Sequence, residues 1–322
     1  MQALLDAIAQ TTPGTDAARL FHGRGGLHPG CEHWLLDWFA PVWVLTCFQP
    51  ASALSAQDTA ALHAALASRW QQLAPGEPLN AVLQCRHEGR SDNRVLAGSV
   101  PDPHVVTEGG ARWRVQVLKG QNHGLFLDMA EGRRWVRTRV AELATLSAQG
   151  SGSTWRARPK LLNLFAYTCA FSVVALQAGA GQVVNLDMSD GALATGKHNH
   201  HLNGVASGAS FLPHDLFSSW GKLTRGGPYD LVVVDPPSYQ KGSFVASKDY
   251  ARVVRRLPDL LLPGGQALLC LNAPELGHEF LHELVREHAP MLQFEQRLPN
   301  PPAFADVSDQ RSLKVLVYRA PD

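Results

Sequence analysis

The stretch YDLVVVDPPSY, residues 229–239, decides the fold class. Its apolar run is typical of a strand buried on both faces, and the acidic residue and two prolines that follow end that strand. Comparable runs stand before and after it, at KLLNLFA (160–166), GQVVNLDM (181–188), ASFLPHD (209–215) and GQALLCLNA (265–273). Because stretches of helix length separate these runs, the pattern predicts an α/β fold with a Rossmann-like, doubly wound, mostly parallel sheet.

The flanks of this pattern extend the prediction in both directions. A last apolar run, LKVLVYRA (313–320), is expected to close the edge of the sheet. Upstream, the residues of LFLD (125–128) alternate as a short strand requires. A helix is expected to follow, to about Leu146, and then a loop at GSGST (150–154).

The preceding part of the chain predicts a smaller α+β domain. After a loop-like opening, HWLLDWFAPVWVLTCF (33–48) is strand material interrupted by a proline. SALSAQDTAALHAALASRWQQL (52–73) has helical spacing of its apolar residues, and Ser55 and Asp58 are its expected N-terminal cap. The segment 105–118, with two central glycines, predicts a hairpin.

We therefore expect two domains. Residues 1–119 form an α+β domain with an expected role in substrate recognition, and residues 120–322 form the catalytic domain. The segment 120–150 of the second domain is expected to cover the bound ligand.

Composition narrows the classes of function. With 322 residues and 45% hydrophobic content, the chain can bury a substantial core. A net charge of +1 gives no bulk attraction for nucleic acid, so an RNA partner has to be argued from the site. No apolar run approaches the roughly 18 residues of a membrane span, which predicts a soluble, cytoplasmic protein without a membrane partner.

The cysteines and histidines do not form a metal-binding pattern. The five cysteines contain no CxxC pair, so they are expected to be reduced packing residues. In HNHH (198–201), His198 and His201 lie one helical turn apart, but no Cys or carboxylate stands at ligand spacing. Surface histidines and no metal are the expectation.

The first two strand ends have the polar residues that a nucleotide-like ligand needs. NLFAYTCAFS (163–172) turns from strand into helix, where backbone N–H groups can receive a carboxylate, but it lacks the G-x-G-x-x-G fingerprint. Asp187 lies 24 residues after Asn163, close to the separation expected of a carboxylate that holds ribose hydroxyls. The alternative for Asp187 is a helix N-cap.

Two further strand ends complete this set. Asp215 can accept from the exocyclic amino group of an adenine. In DPPSY, Pro236 and Pro237 remove backbone donors, which leaves carbonyls and the Asp235 carboxylate as acceptors for a nucleobase or amine. Tyr239 is placed to stack on a flipped base. The alternative for DPPSY is a rigid turn that ends a strand.

The succession GLFLDMAEGR, LNLFAYT, LDMS, DPPSY and LKVLVYRA resembles the class I methyltransferases of the ribosomal RNA large-subunit type. That family includes cytosine carbon-5 enzymes and a guanine nitrogen-7 domain. The likeness runs from about Gly120 to the last residues of the chain. It implies S-adenosyl-L-methionine as cofactor and large-subunit ribosomal RNA as partner, and it leaves a homodimer open.

The resemblance also implies roles for individual residues. Asn163, Phe165 and Tyr167 line the methionine end, Asp187 holds the ribose, Asp215 meets the adenine and Asp235 borders the transfer site. The residues next to these positions belong to the same expected site: Thr168, Met188 and Leu216. Phe126, Asp128 and Arg133 are implied to close over the cofactor, and a salt bridge between Asp128 and Arg133 is the alternative.

One departure from the cytosine enzymes indicates the substrate. Methylation of cytosine carbon 5 requires a thiolate that adds to the ring, whereas a ring nitrogen needs only positioning. At the place of that thiol, after Gly264 and Gly265, this chain has Asn272, and Cys270 is expected to be buried. We therefore expect methylation of a base nitrogen, with guanine favoured, by direct in-line displacement and without an identified general base.

Several alternatives remain open from the sequence. The substrate of a methyltransferase of this kind is alternatively a protein, a small molecule or cytosine carbon 5. From other classes, an NAD-dependent oxidoreductase and a non-catalytic RNA-binding protein share the fold type. The arginines of RRWVRTR (133–139) and RVVRR (252–256) either contact phosphate or form local ion pairs on solvated helix faces.

Overall fold

A computed structural model of the chain describes residues 1–149, 158–240 and 244–322. These residues form two compact units: Met1–Asp128 with Pro301–Asp309, and Met129–Asn300 with Gln310–Asp322. The loop predicted at 150–154 lies outside the described residues. The predicted domain roles, with a boundary between residues 119 and 120, stay a prediction.

The first unit is an α+β structure around a five-stranded sheet in the order β1-β2-β3-β4-β5. Strands β3 and β4 are parallel and the other neighbours are antiparallel. Its elements are α1 Gln2–Gln10, β1 Ala18–His22, β2 Trp34–Phe39, β3 Val42–Cys47, α2 Ala56–Leu73, β4 Ala81–His87, β5 Arg90–Ala97, β6 His104–Glu108 and β7 Ala111–Val115.

Several predictions for this unit are confirmed. Strand material around Pro41 forms the antiparallel pair β2 and β3, and β6 and β7 form the predicted hairpin. Helix α2 begins after Ser55, whose hydroxyl accepts from the Asp58 N–H at 3.0 Å while the Asp58 carboxylate accepts from Ser55. This reciprocal capping box satisfies two backbone donors of the first turn.

The loop-like opening was a wrong prediction. Residues 2–10 form α1, and Ala18–His22 form β1 at the edge of the sheet. Leu4 and Ile8, one helical turn apart, are completely buried in the core with α2. The helix has no side-chain cap and only two fully buried positions, so its signal in the sequence is weak.

The second unit contains the predicted doubly wound sheet. Its strand order is β10-β9-β8-β11-β14-β16-β15. Its elements are α3 Ala130–Gln149, β8 Lys160–Leu164, α4 Ala170–Gln177, β9 Gln182–Leu186, α5 Asp190–Leu202, β10 Ala209–Leu212, α6 Trp220–Gly226, β11 Tyr229–Val234, β12 Tyr239–Gln240, β13 Phe244–Val245, α7 Ala246–Val254, α8 Leu257–Leu260, β14 Leu261–Leu271, α9 Glu279–His288, β15 Gln293–Arg297 and β16 Lys314–Arg319.

The chain reverses its direction across the sheet between β8 and β11. From β8 it runs outward through β9 to β10, and then returns to form β11 on the other side of β8. In open α/β sheets, ligands bind at the carboxyl ends of the strands at such a switch point. The switch point therefore identifies where the ligand site of this unit should lie.

Two strand predictions need correction. The run 313–320 forms β16 inside the sheet, antiparallel to both β14 and β15, so β15 and not β16 is the edge. Strand β15, QFEQR, is mostly exposed, and its polar sequence therefore had no hydrophobic alternation to reveal it. The strand predicted at 125–128 is absent from these described residues, where Leu127–Met129 form a 3₁₀ turn.

Candidate active site

The carboxyl ends of five neighbouring parallel strands lie side by side at one edge of the sheet. Leu212, Leu186, Leu164, Val234 and Leu269 are cross-strand partners in β10, β9, β8, β11 and β14. Neighbouring strands lie about 4.8 Å apart, so the residues that follow this row share one edge of the sheet. Those residues are Pro213, Asp187, Phe165, Asp235 and Cys270.

The loop between β8 and α4 has an unusual backbone. Phe165, Tyr167 and Cys169 have φ angles of 57°, 46° and 62°, in the left-handed region that residues with a side chain seldom adopt. Such strain costs on the order of 1–3 kcal/mol per residue and persists at functional sites where neighbouring contacts fix it. Neighbouring groups hold the loop in place: the Ala166 N–H donates to the Leu186 carbonyl at 3.0 Å, and the Cys169 N–H donates to the Ala166 carbonyl at 2.7 Å.

Asp187 fixes this loop from the neighbouring strand. Its Oδ2 accepts from the Tyr167 N–H at 2.8 Å, and its Oδ1 accepts from the Ser189 N–H at 2.8 Å. The N-cap of α5 is Ser189, whose hydroxyl accepts from the Ala192 N–H, so Asp187 is not the cap of that helix. A carboxylate has about four acceptor positions, which leaves Asp187 with capacity for ligand hydroxyls.

A chain of buried polar side chains lies beneath the loop. Asn163 donates to Asn185 at 2.9 Å, and Asn185 donates to the Ser172 hydroxyl at 3.0 Å. Ser172 lies 2.8 Å from His200 Nε2, and His200 Nδ1 lies 2.7 Å from the Gly196 carbonyl. Because a carbonyl can only accept, His200 carries its proton on Nδ1 and accepts from Ser172 through Nε2.

This chain changes two expectations about its members. Asn163 is only 2% exposed, and its implied contact with the methionine end stays a prediction. The surface prediction for 198–201 was wrong for His200, which is 1% exposed, because the helix turns that ring toward α4. Burial lowers the pKa of His200, so the network is built on a neutral imidazole.

Helix α5 packs tightly against the same loop. A side chain at Gly196 would place its Cβ 2.5 Å from Cys169 Sγ, and Asn199 donates to the Thr168 carbonyl at 3.1 Å. Cys169 is completely buried and packs in the core, and the same burial raises the pKa of its thiol. No local sequence pattern indicates Gly196 or Asn199, since their role depends on which helix meets the loop.

Asp215 and Leu216 lie after β10. The Asp215 Oδ1 accepts from the Ser218 N–H at 2.9 Å, and its carbonyl accepts from the hydroxyls of Ser218 and Ser219. Leu216 is 2% exposed and belongs to the core. In contrast, Met188 is 49% exposed. The adenine contact implied for this region stays a prediction.

The DPPSY segment follows β11 at the switch point. Asp235 is half-buried, Pro236 is buried, and Tyr239 is 68% exposed. Tyr239 pairs with Val245 in the short hairpin of β12 and β13, and the Ser238 carbonyl accepts from the Ala246 N–H at 3.0 Å. The segment is therefore anchored just beyond the site, while the tyrosine side chain stays available to a substrate.

Tyr250 of α7 braces the strands beneath DPPSY. It is completely buried, and its hydroxyl donates to the Cys270 carbonyl at 3.0 Å and lies 3.5 Å from the Val234 carbonyl. Burial, together with the nearby Cys270 and Asp235, raises the pKa of Tyr250 well above its usual value. The neutral phenol thus ties the ends of β11 and β14 together.

Aromatic rings surround the switch point. Phe165 lies edge-to-face on Phe244 with ring centres 5.0 Å apart, and Phe244 stacks with Phe217 at 6.4 Å. The Arg252 guanidinium lies 3.6 Å from the centre of the Phe217 ring. These rings exclude water from one side of the site, which favours reactions that need a desolvated pocket.

The chain around the end of β14 combines a buried cysteine with an exposed asparagine. Cys270 is completely buried, as predicted, and Asn272 is exposed at the end of β14. The adjacent Ala273 carbonyl accepts from the fully buried Lys314 at 2.8 Å. The amide of Asn272, and not a thiol, is therefore presented at this strand end.

The residues implied to cover the cofactor fall in both units. Phe126 is 42% exposed and Asp128 is half-buried, and both belong to the first unit. Arg133 belongs to α3 of the second unit and is 3% exposed. Their closure over a cofactor stays a prediction.

Most arginines of the two clusters have local partners. Helix neighbours pair Arg134 with Glu131 at 2.7 Å, and Arg252 with Asp249 at 2.9 Å. The other contacts are Arg137 with Gln177, Arg139 with Gln266 and Glu142, and Arg256 with Asp259. These contacts favour the ion-pair alternative over phosphate binding.

The described residues contain neither a candidate membrane span nor a cluster of metal-binding side chains. No described helix has the length and apolar character needed to span a bilayer. Within the same residues, no three His, Cys, Asp or Glu side chains are grouped as a metal ion would require.

Comparison with known sequences points to methyl transfer. A family model described as S-adenosylmethionine-dependent methyltransferase matches residues 18–319. Ribosomal RNA large subunit methyltransferase I of Aeromonas salmonicida is 31% identical over 180 residues, which cover 54% of this chain and 41% of the relative. The protein of that name from Enterobacter sp. is 28% identical over 282 residues, which cover 86% of this chain and 66% of the relative. The chain thus spans less than two thirds of either relative.

A solved structure supports the architecture. An S-adenosylmethionine-dependent methyltransferase from Streptococcus mutans matches with a TM-score of 0.75 and 21% identity, covering 99% of this chain and 78% of that one. Identity this low carries information about the fold alone. The predicted fold class, a doubly wound α/β sheet with a smaller domain, is confirmed.

Proposed function

Because the chain belongs to the S-adenosylmethionine-dependent methyltransferase family, we propose that it transfers a methyl group from S-adenosyl-L-methionine to a base nitrogen of large-subunit ribosomal RNA. Guanine is the favoured base. Membership of the family confirms the resemblance drawn from the sequence and the expectation of S-adenosyl-L-methionine as cofactor. If ribosomal RNA is the substrate, the protein acts in the cytoplasm.

One observation carries the proposed cofactor site. Asp187 holds the strained β8–α4 loop by accepting from the Tyr167 N–H at 2.8 Å. This contact places a carboxylate, which is suited to ribose hydroxyls, beside the strained loop where we propose that the methionine moiety binds. The remaining acceptor capacity of Asp187 thus fits the ribose of a nucleoside cofactor.

The chemistry asks little of the protein beyond alignment. Bound S-adenosyl-L-methionine would supply an electrophilic methyl group on a sulfonium, whose sulfur would leave with the electron pair of the broken C–S bond as a neutral thioether. Asp235 and the carbonyls of DPPSY are the proposed acceptors for the amino or imino groups of the base, and exposed Tyr239 is the proposed stacking partner. The rings of Phe165, Phe217 and Phe244 are the proposed groups that keep water from one side of the site during transfer.

The substrate is tested by comparing ribosomal RNA from a deletion strain with that of its parent. We expect one methylated nucleoside to disappear in nucleoside mass spectrometry and to return when the wild-type gene is supplied. A gene carrying Asp235→Ala should not restore it, because the base loses its acceptor. Unchanged RNA methylation would contradict the RNA substrate and favour a protein or a small molecule.

The choice between nitrogen and cytosine carbon 5 has a separate test. Substitution Cys270→Ala should leave methyl transfer within about threefold of wild type, because a ring nitrogen needs no thiolate adduct. Loss of transfer by Cys270→Ala, in a variant that still binds the cofactor, would favour the carbon-5 reaction. Asn272→Ala should lower transfer instead, since we assign this exposed amide to the substrate side.

A further inference from the structure

One end of the five-stranded sheet in the first unit combines arginines with an aromatic ring. Cys47 of β3 pairs with Cys85 of β4, so the next residues, Phe48 and Arg86, emerge side by side. Arg24 lies in the 3₁₀ turn that follows β1 at the same end of the sheet. The guanidinium carbon of Arg24 lies 4.3 Å from the centre of the Phe48 ring, and that of Arg86 lies 5.9 Å from it.

Arg86 is a half-buried cation without a carboxylate partner among the described residues. Its Nη2 lies 2.6 Å from Gln84 Oε1 and 3.0 Å from His123 Nε2, both neutral groups. Its Nε is buried and has no hydrogen-bond partner. A buried donor on a charged group that lacks a partner is costly, so this arrangement indicates a missing acceptor.

The nearest carboxylate does not supply that acceptor. Asp37 forms an ion pair with Arg19, and both of its oxygens are engaged by that guanidinium. Burial lowers the pKa of Arg86, and the negative charge of Asp37 partly offsets this effect. The positive charges of Arg19 and Arg24 lower the pKa of Arg86 further. An anion between the guanidinium groups would relieve this repulsion.

The glycine-rich segment HGRGG (22–26) holds Arg24 at this place. A Cβ on Gly23 would lie 1.8 Å from the Cys31 carbonyl oxygen, and one on Gly25 would lie 2.1 Å from the Ala305 carbonyl oxygen. Only glycine therefore permits the tight turn that leaves the Arg24 side chain exposed over Phe48. The turn needs no reorganisation to present its cation, which favours binding.

We propose that Arg24 and Arg86, around the Phe48 ring, bind a backbone phosphate of a single-stranded RNA segment. The proposal rests on the proposed function, since it assigns part of the RNA substrate to the first unit. Guanidinium groups match phosphate oxygens with paired donors, and a half-buried ring beside them offers a stacking surface for a base. Because the net charge of the chain is only +1, bulk charge does not attract RNA. RNA affinity would therefore come from a local cluster of cations such as this one.

The test measures binding of a fluorescein-labelled, mixed-sequence single-stranded RNA by fluorescence anisotropy. Arg24→Gln and Arg86→Gln should each weaken binding about tenfold and reduce the slope of log affinity against log salt by about one phosphate contact. Arg94→Gln is the matched control, because Arg94 is exposed on β5 of the same unit and its substitution removes the same positive charge. S-adenosyl-L-methionine binding, measured by calorimetry, should be unchanged in all three variants.

The outcomes separate this proposal from the proposed function. Equal RNA affinity and salt slope in the wild type, Arg24→Gln and Arg86→Gln overturn the proposal, even if the wild type methylates RNA. Failure of the wild type to bind RNA overturns the proposal as well, and methylation in the deletion strain then decides the proposed function independently.

Inorganic phosphate is a second probe. If the substitutions abolish phosphate binding but leave RNA binding intact, the cluster is a small-anion site and the RNA proposal is wrong. Arg24 is exposed, so its substitution remains informative if Arg86→Gln fails to fold.

Discussion

One carboxylate, that of Asp187, holds the β8–α4 loop through a hydrogen bond from the Tyr167 N–H. Asp187 is replaced most conservatively by Asn, which keeps the size but can accept through one oxygen only. Either the Tyr167 N–H or the Ser189 N–H then loses its acceptor, and ribose hydroxyls lose a charged partner. We expect Asp187→Asn to weaken S-adenosyl-L-methionine binding by roughly tenfold to a hundredfold in isothermal calorimetry.

The control for this substitution is Asp190→Asn. Asp190 is exposed in the first turn of α5, three residues from Asp187 in the same region. Its substitution makes the same charge change without touching the loop, so cofactor affinity should stay at the wild-type value. Equal affinities for Asp187→Asn and the wild type would show that Asp187 is not a cofactor residue.

Strand-end residues can be predicted from the sequence, whereas the side-chain networks that join distant residues cannot. Asp187 and DPPSY were recognisable because each directly follows an apolar strand, where chain order and fold class determine position. The line from Asn163 to His200 was not recognisable, since its members come from two strands and two helices. Their meeting depends on strand register and helix orientation, which no local pattern encodes.

At the scale of elements, the close approach of α5 to the loop is the feature that can be tested most directly. Gly196→Ala would bring its Cβ within 2.5 Å of the buried Cys169 Sγ and 3.3 Å of the Thr168 carbonyl carbon. We expect a loss of about 1–3 kcal/mol in the free energy of unfolding, measured with urea, because neither group can yield without moving the loop. Cofactor affinity should fall in the same variant.

Gly191 of the same helix provides the matched comparison. A Cβ at Gly191 has no atom within 4 Å, so Gly191→Ala should leave cofactor affinity unchanged. Alanine has the higher helix propensity, so this variant should be as stable as the wild type or more stable by up to about 1 kcal/mol. The same sign of stability change in both variants would exclude tight packing at Gly196 as the cause.

Elements buried on both faces were predicted well, and exposed or weakly capped ones were not. Strands β8, β9 and β11 appear as apolar runs because helices cover both faces of the sheet. Edge strand β15 has exposed polar side chains and no such run. The alternation at 125–128 suggested a strand, but the described residues have no partner strand there to complete it.

At the scale of the whole molecule, histidines that are half-buried or buried connect stability to pH. Burial lowers the pKa of His22 to about 4 and that of His123 to about 3, in both cases with further lowering by nearby arginines. Burial also lowers the pKa of His33, His104 and His200. Four of these five histidines belong to the first unit, so acid should destabilise that unit first.

His123 allows this pH dependence to be tested with one substitution. Above its ordinary pKa of 6.5, both folded and unfolded states hold a neutral imidazole, and its contribution to stability is complete. As the pH falls below 6.5, the unfolded state binds a proton first, so the free energy of unfolding decreases by up to about 1.4 kcal/mol per pH unit until the folded pKa of about 3 is reached. Tryptophan fluorescence during urea unfolding gives the free energy of unfolding at each pH. Between pH 6.5 and 5, we expect this free energy to change less with pH in His123→Gln than in the wild type, because glutamine stays neutral.

The control is His63→Gln, a substitution of an exposed histidine on α2, which should retain the wild-type slope. An unchanged slope in His123→Gln would mean that the acid sensitivity of the first unit arises from other groups.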